Sequence, residues 1–291
     1  MREILVDLRC DISYYCGKQM SQTAKVSVYC IWRNNIATID NTLNQLSELN
    51  ELDYDFEYFF YENDSNDGTD KILSQWIKDK QGKLLSETLE VPHFGSNTSI
   101  HRMNLLSECR NKCKDLNPDI SSDYTLLIDS DIIFDKGNFA QQMRTLNAEA
   151  EVKMVTPNVR QNIPDFTSNK ADDSYYDIHA FLDKNGDKGN YYSDCPFKNA
   201  IDIMNWSLNQ PVACQASFGG FALLYSSIFK QCRWSTIDFN NGQGLCEHIP
   251  LCRKILEFGK IYIDPASKVF TELDLSTINL NACRNFAHHQ R

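Results

Sequence analysis

Hydrophobic residues along this chain occur in two kinds of run that follow one another. Short continuous runs, rich in β-branched and aromatic residues, predict buried strands, whereas longer runs with apolar residues three or four positions apart predict helices. Strands are predicted at 25–32, 56–61, 89–92, 124–129 and 152–157, and helices at 36–49, 69–78 and 99–116. The alternation of the two elements indicates an α/β domain with a mainly parallel central sheet and helices on both faces.

The alternation stops at residue 161. The stretch 161–212 is rich in Asp, Asn, Gly and Tyr, which predicts a long loop region that either binds a substrate or is simply solvated. Regular structure resumes with a Gly-Gly turn and strand at 217–225, a helix at 249–258 and a strand at 260–264. These changes divide the chain into a leader at 1–24, two halves at 25–160 and 161–270, and a tail at 271–291.

Composition narrows the possible partners and the compartment. The chain has 291 residues and a formal net charge of -10, which argues against nonspecific binding to nucleic acid. An anionic substrate remains possible, because a bound divalent metal supplies positive charge locally. The 11 cysteines include no Cys-x-x-Cys pair, which favours a reducing compartment. We find no signal peptide and no transmembrane segment in the sequence, so a cytoplasmic location is predicted.

The clearest chemical signal is a pair of carboxylates directly after a predicted strand. Asp129, Ser130 and Asp131 follow an apolar run, and apolar residues resume at 132–134. Aspartate is rare in strands, and burying two carboxylates costs free energy unless a cation pairs with them. Mg²⁺ or Mn²⁺ would supply that charge, because such ions bind carboxylate oxygens together with substrate phosphates. A polar turn is the simpler alternative, but the apolar residues on both sides favour a metal site.

A second polar group follows the strand at 56–61. It begins with Glu62 and Asp64 and continues through a turn at 66–69 into the next predicted helix. Turn formation and helix capping explain the later residues of this group. They do not explain Glu62 and Asp64, which a parallel sheet places at the same edge as Asp129. These two carboxylates are predicted to bind hydroxyl or amino groups of a ribose or base.

The predicted helix at 99–116 carries an arginine on its apolar side. Arg102 lies one turn before Leu106 and extends the apolar stripe. A buried arginine needs an anion, which is either a substrate diphosphate or a neighbouring carboxylate. Arg110 and Asn111 are expected to lie off this stripe and are weaker candidates. The stripe consists of Leu105, Leu106, Cys109, Cys113 and Leu116.

Glu247 lies at the start of the predicted helix at 249–258. A carboxylate in this position is stabilised by the helix dipole, which explains it without any function. The alternative is that Glu247 removes the proton from a substrate hydroxyl as a general base.

Taken in order, these motifs resemble those of GT-A glycosyltransferases. The similarity is greatest to the fungal capsule and Golgi α-mannosyltransferases, and it extends over about residues 25 to 270. It implies a single Rossmann-like GT-A domain. The matching segments are 26–32, 62–69, Arg110-Asn111, 127–131, 218–222, Glu247-His248 and 259–265.

The resemblance implies a bound Mn²⁺ or Mg²⁺ ion at an Asp-x-Asp (DXD) motif. Asp131 would bind the metal, and Asp129 would contact the metal or the ribose, with Ser130 between them in the cofactor site. Many members of the family use a histidine near the C-terminus as a further metal ligand, a role that His288 or His289 would fill.

The resemblance also implies a nucleoside-diphosphate sugar as the donor substrate. Glu62 or Asp64 would contact its nucleoside, and Arg102 is the candidate for its diphosphate. Glu247 would face the acceptor, and Glu247 and Asp131 are the predicted catalytic residues. If Glu247 is the base, attack is direct and the anomeric configuration inverts; if it is not, a retaining route is open, as the resemblance to mannosyltransferases implies.

The expected function is transfer of a sugar from GDP-mannose or a UDP-sugar to a glycan or glycoconjugate acceptor. Residues 25–160 would then be the nucleotide-sugar-binding half and 161–270 the acceptor-binding half. One alternative is a nucleotidyltransferase that makes nucleotide-sugars, although such enzymes carry a Gly-rich loop after the first strand and 33–36 contains no glycine. The other alternative is a non-catalytic sugar-binding domain.

Overall fold

A computed structural model describes residues 23–95, 97–164, 171–190 and 193–271. The predicted tail with His288 and most of the predicted leader lie outside these residues. Within them, no helix has the length and the apolar character needed to span a membrane.

Strands and helices follow one another along the described chain. The strands are β1 (Lys25–Trp32), β2 (Asp55–Asn63), β3 (Gly82–Glu87), β4 (Tyr124–Asp129), β5 (Ile132–Ile133), β6 (Val152–Pro164), β7 (Ala171–Tyr175), β8 (Leu182–Asp183), β9 (Val212–Ala216), β10 (Phe221–Tyr225) and β11 (Lys260–Thr271). The helices are α1 (Ile39–Leu49), α2 (Thr69–Trp76), α3 (Ile100–Asp115), α4 (Lys136–Ala148), α5 (Ala200–Ser207), α6 (Ser226–Phe229) and α7 (His248–Leu256).

One sheet organises the domain, in the strand order β3-β2-β1-β4-β10-β6-β11-β9-β8. Strands β3, β2, β1 and β4 are parallel, and so are β6 and β11. Strand β10 lies antiparallel between β4 and β6, and β9 and β8 continue antiparallel beyond β11. The predicted α/β domain with a parallel central region is confirmed, although its second half is mixed.

Both faces of the sheet are covered. Strands β1 and β4 contain consecutive buried residues, whose side chains point alternately to the two faces. On one face, Phe56 of β2 packs against Phe139 of α4, with ring centroids 5.5 Å apart. On the other face, Tyr29 lies between Phe59 of β2 and Phe229 of α6, at 5.2 and 5.1 Å. Aromatic residues therefore form the core on either side of the parallel strands.

The predicted strand at 89–92 is wrong, because β3 is the edge strand and none of the described residues between it and α3 forms another strand. The backbone N–H groups of Leu89 and Glu90 donate instead to Oδ1 of Asp64, at 2.7 and 2.9 Å. A side-chain acceptor thus replaces the strand partner that the apolar pattern predicted.

The stretch 161–212 is not the long loop region that we expected. It contains the end of β6, together with β7, β8 and α5. Its polar residues form turns and caps between these short elements: Oδ1 of Asp183 accepts from the N–H groups of Asn185 and Asp187, at 2.8 and 2.9 Å. Asn199 caps α5 by accepting from the N–H of Ile201 at 2.9 Å. Helix α4, which the sequence analysis missed, begins with a similar capping box.

Gly82, at the start of β3, is predicted to be essential for pairing with β2. Its φ is +147°, and a Cβ atom there would lie 1.8 Å from the carbonyl oxygen of Tyr58. Gly82→Ala is therefore expected to cost about 2–4 kcal/mol of unfolding free energy in urea denaturation. Gly242→Ala is the control, since Gly242 has a φ of +81° but no atom within 4 Å, and only about 1–2 kcal/mol is expected. Equal losses of unfolding free energy for the two variants would show that the contact between Gly82 and Tyr58 does not limit the pairing of β3 with β2.

Candidate functional site

The carboxyl ends of β1, β2 and β4 meet at one edge of the sheet, as their parallel registers require. The loops that follow β1 and β2 are joined by hydrogen bonds. The N–H of Asn34 donates to Oγ of Ser65, and the N–H of Asn66 donates to Oδ1 of Asn34, both at 2.9 Å. The edge that ligands occupy in open α/β sheets is thus a fixed surface.

The Asp129-Ser130-Asp131 motif lies in the middle of this edge. The N–H of Asp129 donates to the carbonyl of Gly220 at 2.8 Å, and the carbonyl of Ser130 accepts from Oγ1 of Thr42 at 2.8 Å. Asp129 and Asp131 are both half-buried. The motif is therefore fixed from both sides, by α1 and by the turn that precedes β10.

Arg110 of α3 binds two carboxylates at once. Its Nη2 lies 2.8 Å from Oδ1 of Asp129, and its Nε lies 3.1 Å from Oε1 of Glu247. The side chains of Arg110 and Glu247 are only 8% and 3% exposed, whereas that of Asp129 is 31% exposed. Burial alone would lower the pKa of Arg110, but the two negative charges outweigh it and raise the pKa. The arginine is therefore a permanent cation that joins β4, α3 and the start of α7.

This arrangement corrects the predicted orientation of α3. Arg110 lies on the buried side of the helix, whereas Arg102 is half-buried and its Nη1 donates to the carbonyl of Asn97 at 3.1 Å. Cys109 and Cys113 are buried, as predicted. The apolar stripe did not predict which arginine of α3 is buried. Arg110 is buried because Asp129 and Glu247 compensate its charge.

Glu247 and its neighbours form an enclosed group. Nε2 of His248 lies 3.4 Å from Oε1 of Glu247. The His248 ring stacks on Phe218 at 3.7 Å, and the Arg110 guanidinium lies 5.1 Å from the same ring. Burial, with Arg110 nearby, holds the pKa of His248 well below its usual range, so this histidine is neutral. The Glu247 carboxylate therefore depends on Arg110 for its compensating charge.

Glu62 and Asp64 lie at the predicted edge, but each is bound by neighbouring groups. The oxygens of Glu62 accept from the N–H of Ser65, at 2.8 Å, and from the hydroxyl of Ser86. Asp64 adopts a φ of +55° and lies 3.7 Å from Nη2 of Arg33, in addition to binding the 89–90 backbone. Burial works against ionisation of Asp64, but these backbone bonds and that from Asn63 lower its pKa.

Asp177 is a residue of this site that the sequence analysis missed. Its Oδ2 accepts from the N–H groups of Gly219 and Phe218, at 2.7 and 3.3 Å. Burial and the charge of Asp129 raise its pKa to about 7, against the effect of these hydrogen bonds. Asp177 lies two residues after β7, whose sequence Ala-Asp-Asp-Ser-Tyr is mostly polar. No apolar run of the kind that precedes Asp129 therefore marked it in the sequence.

The described residues do not form a complete metal site. Among them, no group of three or more His, Cys, Asp and Glu side chains could hold a metal ion. Asp129 has one oxygen bound to Arg110, and its Oδ2 accepts no hydrogen bond from the described chain. One or two carboxylate oxygens would suit an ion such as Mg²⁺, because Mg²⁺ takes its remaining ligands from water and substrate phosphates.

Comparisons with known proteins identify the fold. No protein-family model and no curated protein sequence matches the chain. The crystal structure of S. aureus TarS 1–349 is 12% identical with a TM-score of 0.51, over 85% of this chain and 60% of that one. TarS 1–349 in complex with UDP-GlcNAc is 12% identical with a TM-score of 0.50, over 88% and 62%. Mannosyltransferase PcManGT from Pyrobaculum calidifontis, in complex with GDP-Man and Mn²⁺, is 13% identical over 91% and 61%, but its TM-score of 0.48 is too low to support an argument.

At these identities the likeness establishes the fold alone. The chain has the GT-A fold that the sequence motifs implied. It spans about 60% of the length of the TarS structure that it matches. The particular resemblance to fungal mannosyltransferases remains a prediction.

Loss of Arg110 is predicted to destabilise the domain strongly. Arg110→Met leaves the buried Glu247 and the half-buried Asp129 without their cation, and we expect a loss of about 3 kcal/mol in urea denaturation. Arg233→Met is the control, because Arg233 pairs with Asp115 where both side chains are more than half exposed, and such pairs contribute about 0–1 kcal/mol. If Arg110→Met costs no more than Arg233→Met, the three charged groups do not act as a unit.

Proposed function

We propose that the protein is a metal-dependent glycosyltransferase that transfers a sugar from a nucleoside-diphosphate sugar to an acceptor hydroxyl. The observation that carries the proposal is the position of Asp129 and Asp131, which lie half-buried at the carboxyl edge of the sheet on a GT-A fold. TarS, which shares the fold, binds UDP-GlcNAc in its crystal structure. Ligands of open α/β sheets bind at this edge.

Asp131 and Asp129 are the proposed metal ligands. Because Arg110 occupies Oδ1 of Asp129, that residue would bind the ion through Oδ2. A divalent ion bound there would neutralise the diphosphate and make it a better leaving group. His288 remains the proposed additional ligand.

Glu62, Asp64 and Arg102 are proposed to contact the donor, with Ser130 beside them in the cofactor site. Arg102 forms no salt bridge with the described residues and lies in the first turn of α3, so its charge is available for a diphosphate. Glu62 and Asp64 accept hydrogen bonds from the protein backbone and so hold the segments after β2 and β3 in place. Their remaining lone pairs are proposed to accept from the nucleoside.

The proposed donor and acceptor are inferred from the family resemblance, and the proposed location is inferred from the composition. The resemblance favours GDP-mannose, whereas the likeness to TarS favours a UDP-sugar. A glycan or glycoconjugate is the proposed acceptor, bound by the 161–270 half, and the proposed location is the cytoplasm.

Turnover of one nucleotide-sugar is the direct test. The protein is incubated with a panel of UDP- and GDP-sugars and Mn²⁺, and released nucleoside diphosphate is measured. We expect one donor to be turned over, with loss of activity in chelator. Asp131→Asn should reduce the rate by about 100-fold or more, because the diphosphate loses electrostatic stabilisation. Asp119→Asn is the control, since Asp119 is exposed in the α3–β4 connection at the opposite edge of the sheet.

Other outcomes separate the alternatives. Release of pyrophosphate from a nucleoside triphosphate and a sugar phosphate would identify a nucleotidyltransferase and refute the proposal. Binding of sugars without any turnover, unaffected by Asp131→Asn, would identify a non-catalytic sugar-binding domain.

A further inference from the structure

Among the carboxylates that border the candidate site, Glu247 and Asp177 differ in accessibility. Glu247 is 3% exposed and receives Arg110 Nε at 3.1 Å, with Nε2 of His248 at 3.4 Å and Sγ of Cys246 at 3.7 Å from its oxygens. An acceptor hydroxyl would have to displace these groups to reach it. Glu247 is therefore poorly placed to take a proton from a substrate.

Asp177 is half-buried and forms no salt bridge with any described cationic side chain. Its Oδ2 is fixed by the N–H groups of Gly219 and Phe218, which belong to the turn before β10. The backbone of Ala180 also bonds to this carboxylate, which has about four lone-pair positions, so a position remains for a further donor. The side chain is thus oriented without being neutralised.

The same turn places Asp177 beside the Asp-x-Asp motif. Gly220 follows the residues that bind Asp177, and its carbonyl accepts from the N–H of Asp129 at 2.8 Å. A Cβ atom on Gly220 would lie 3.6 Å from Oδ2 of Asp129. Both carboxylates therefore border one short turn, and the negative charge of Asp129 is among the causes of the raised pKa of Asp177.

We propose that Asp177, rather than Glu247, is the catalytic base that receives the proton of the acceptor hydroxyl. This inference rests on the proposed glycosyltransferase function. In the step, the acceptor oxygen forms a bond to the anomeric carbon while the bond from that carbon to the diphosphate oxygen breaks. The acceptor proton passes to Asp177, and the nucleoside diphosphate leaves with the electron pair. Direct attack of this kind inverts the anomeric configuration.

A carboxyl group with a pKa near the working pH is well suited to this task, because it is both ionised and basic enough to accept a proton. Its ionisation is influenced by groups on every side. The charged and titratable groups that face Asp177 are Asp129, Lys188, Tyr175, Tyr176, Cys246 and Cys252.

The test compares Asp177→Asn with the exposed control Asp119→Asn, using the donor that the wild-type protein turns over. Asparagine retains an oxygen that can accept from Gly219 and Phe218, so the turn is expected to persist. We expect kcat to fall by about 100-fold or more, within the usual contribution of a general base. The Kd for the corresponding nucleoside diphosphate with Mn²⁺ should stay within about threefold of wild type. The fall of kcat/KM towards acid pH should disappear in Asp177→Asn, and NMR should show an inverted product.

Three results would overturn the assignment. These are wild-type kcat in Asp177→Asn, a product of retained configuration, or a loss of nucleoside-diphosphate binding that accounts for the whole effect. If the wild-type protein turns over no donor, both this inference and the proposed function fail. If a donor is turned over but Asp177→Asn has no effect, only the role of Asp177 fails.

Discussion

The buried Arg110 between Asp129 and Glu247 is the interaction on which the candidate site depends. A buried guanidinium is tolerated only when anions compensate it, and the two carboxylates come from β4 and from the start of α7. The charge requirement therefore fixes three distant parts of the chain relative to one another. It also leaves Asp129 with a single available oxygen at the edge of the sheet, so that the proposed metal would need further oxygen ligands.

The turn formed by Phe218, Gly219 and Gly220 performs a matching task on the other side of Asp129. The Phe218 ring contacts Arg110 and His248. The N–H groups of Phe218 and Gly219 orient Asp177, and the carbonyl of Gly220 accepts from the N–H of Asp129. One turn thus contacts Arg110, Asp177 and the backbone of Asp129. Both glycines have a φ of +65°, and a Cβ atom would lie 3.1 Å from Pro157 of β6 at Gly219 and 2.4 Å from Ile132 of β5 at Gly220.

The sequence predicted the parallel strands β1, β2 and β4 and the edge with Asp129 and Asp131, because continuous apolar runs followed by polar residues are a strong local signal. It did not predict β3 or the burial of Arg110, since both depend on partners that are distant in sequence. Asp64 binds the backbone where a strand was expected, and Glu247 lies 137 residues from the arginine it binds. Asp177 was missed because most residues of β7, the strand before it, are polar.

A crystal structure with Mn²⁺ and the nucleoside diphosphate of the preferred donor tests the central claim most directly. The anomalous signal of manganese locates the ion independently of the protein side chains. We expect the ion between Asp131 and the diphosphate at the carboxyl edge of the sheet, with the Arg110–Asp129 contact retained. An ion or diphosphate bound away from both aspartates, or an Arg110 released from Asp129 without loss of stability, would contradict it.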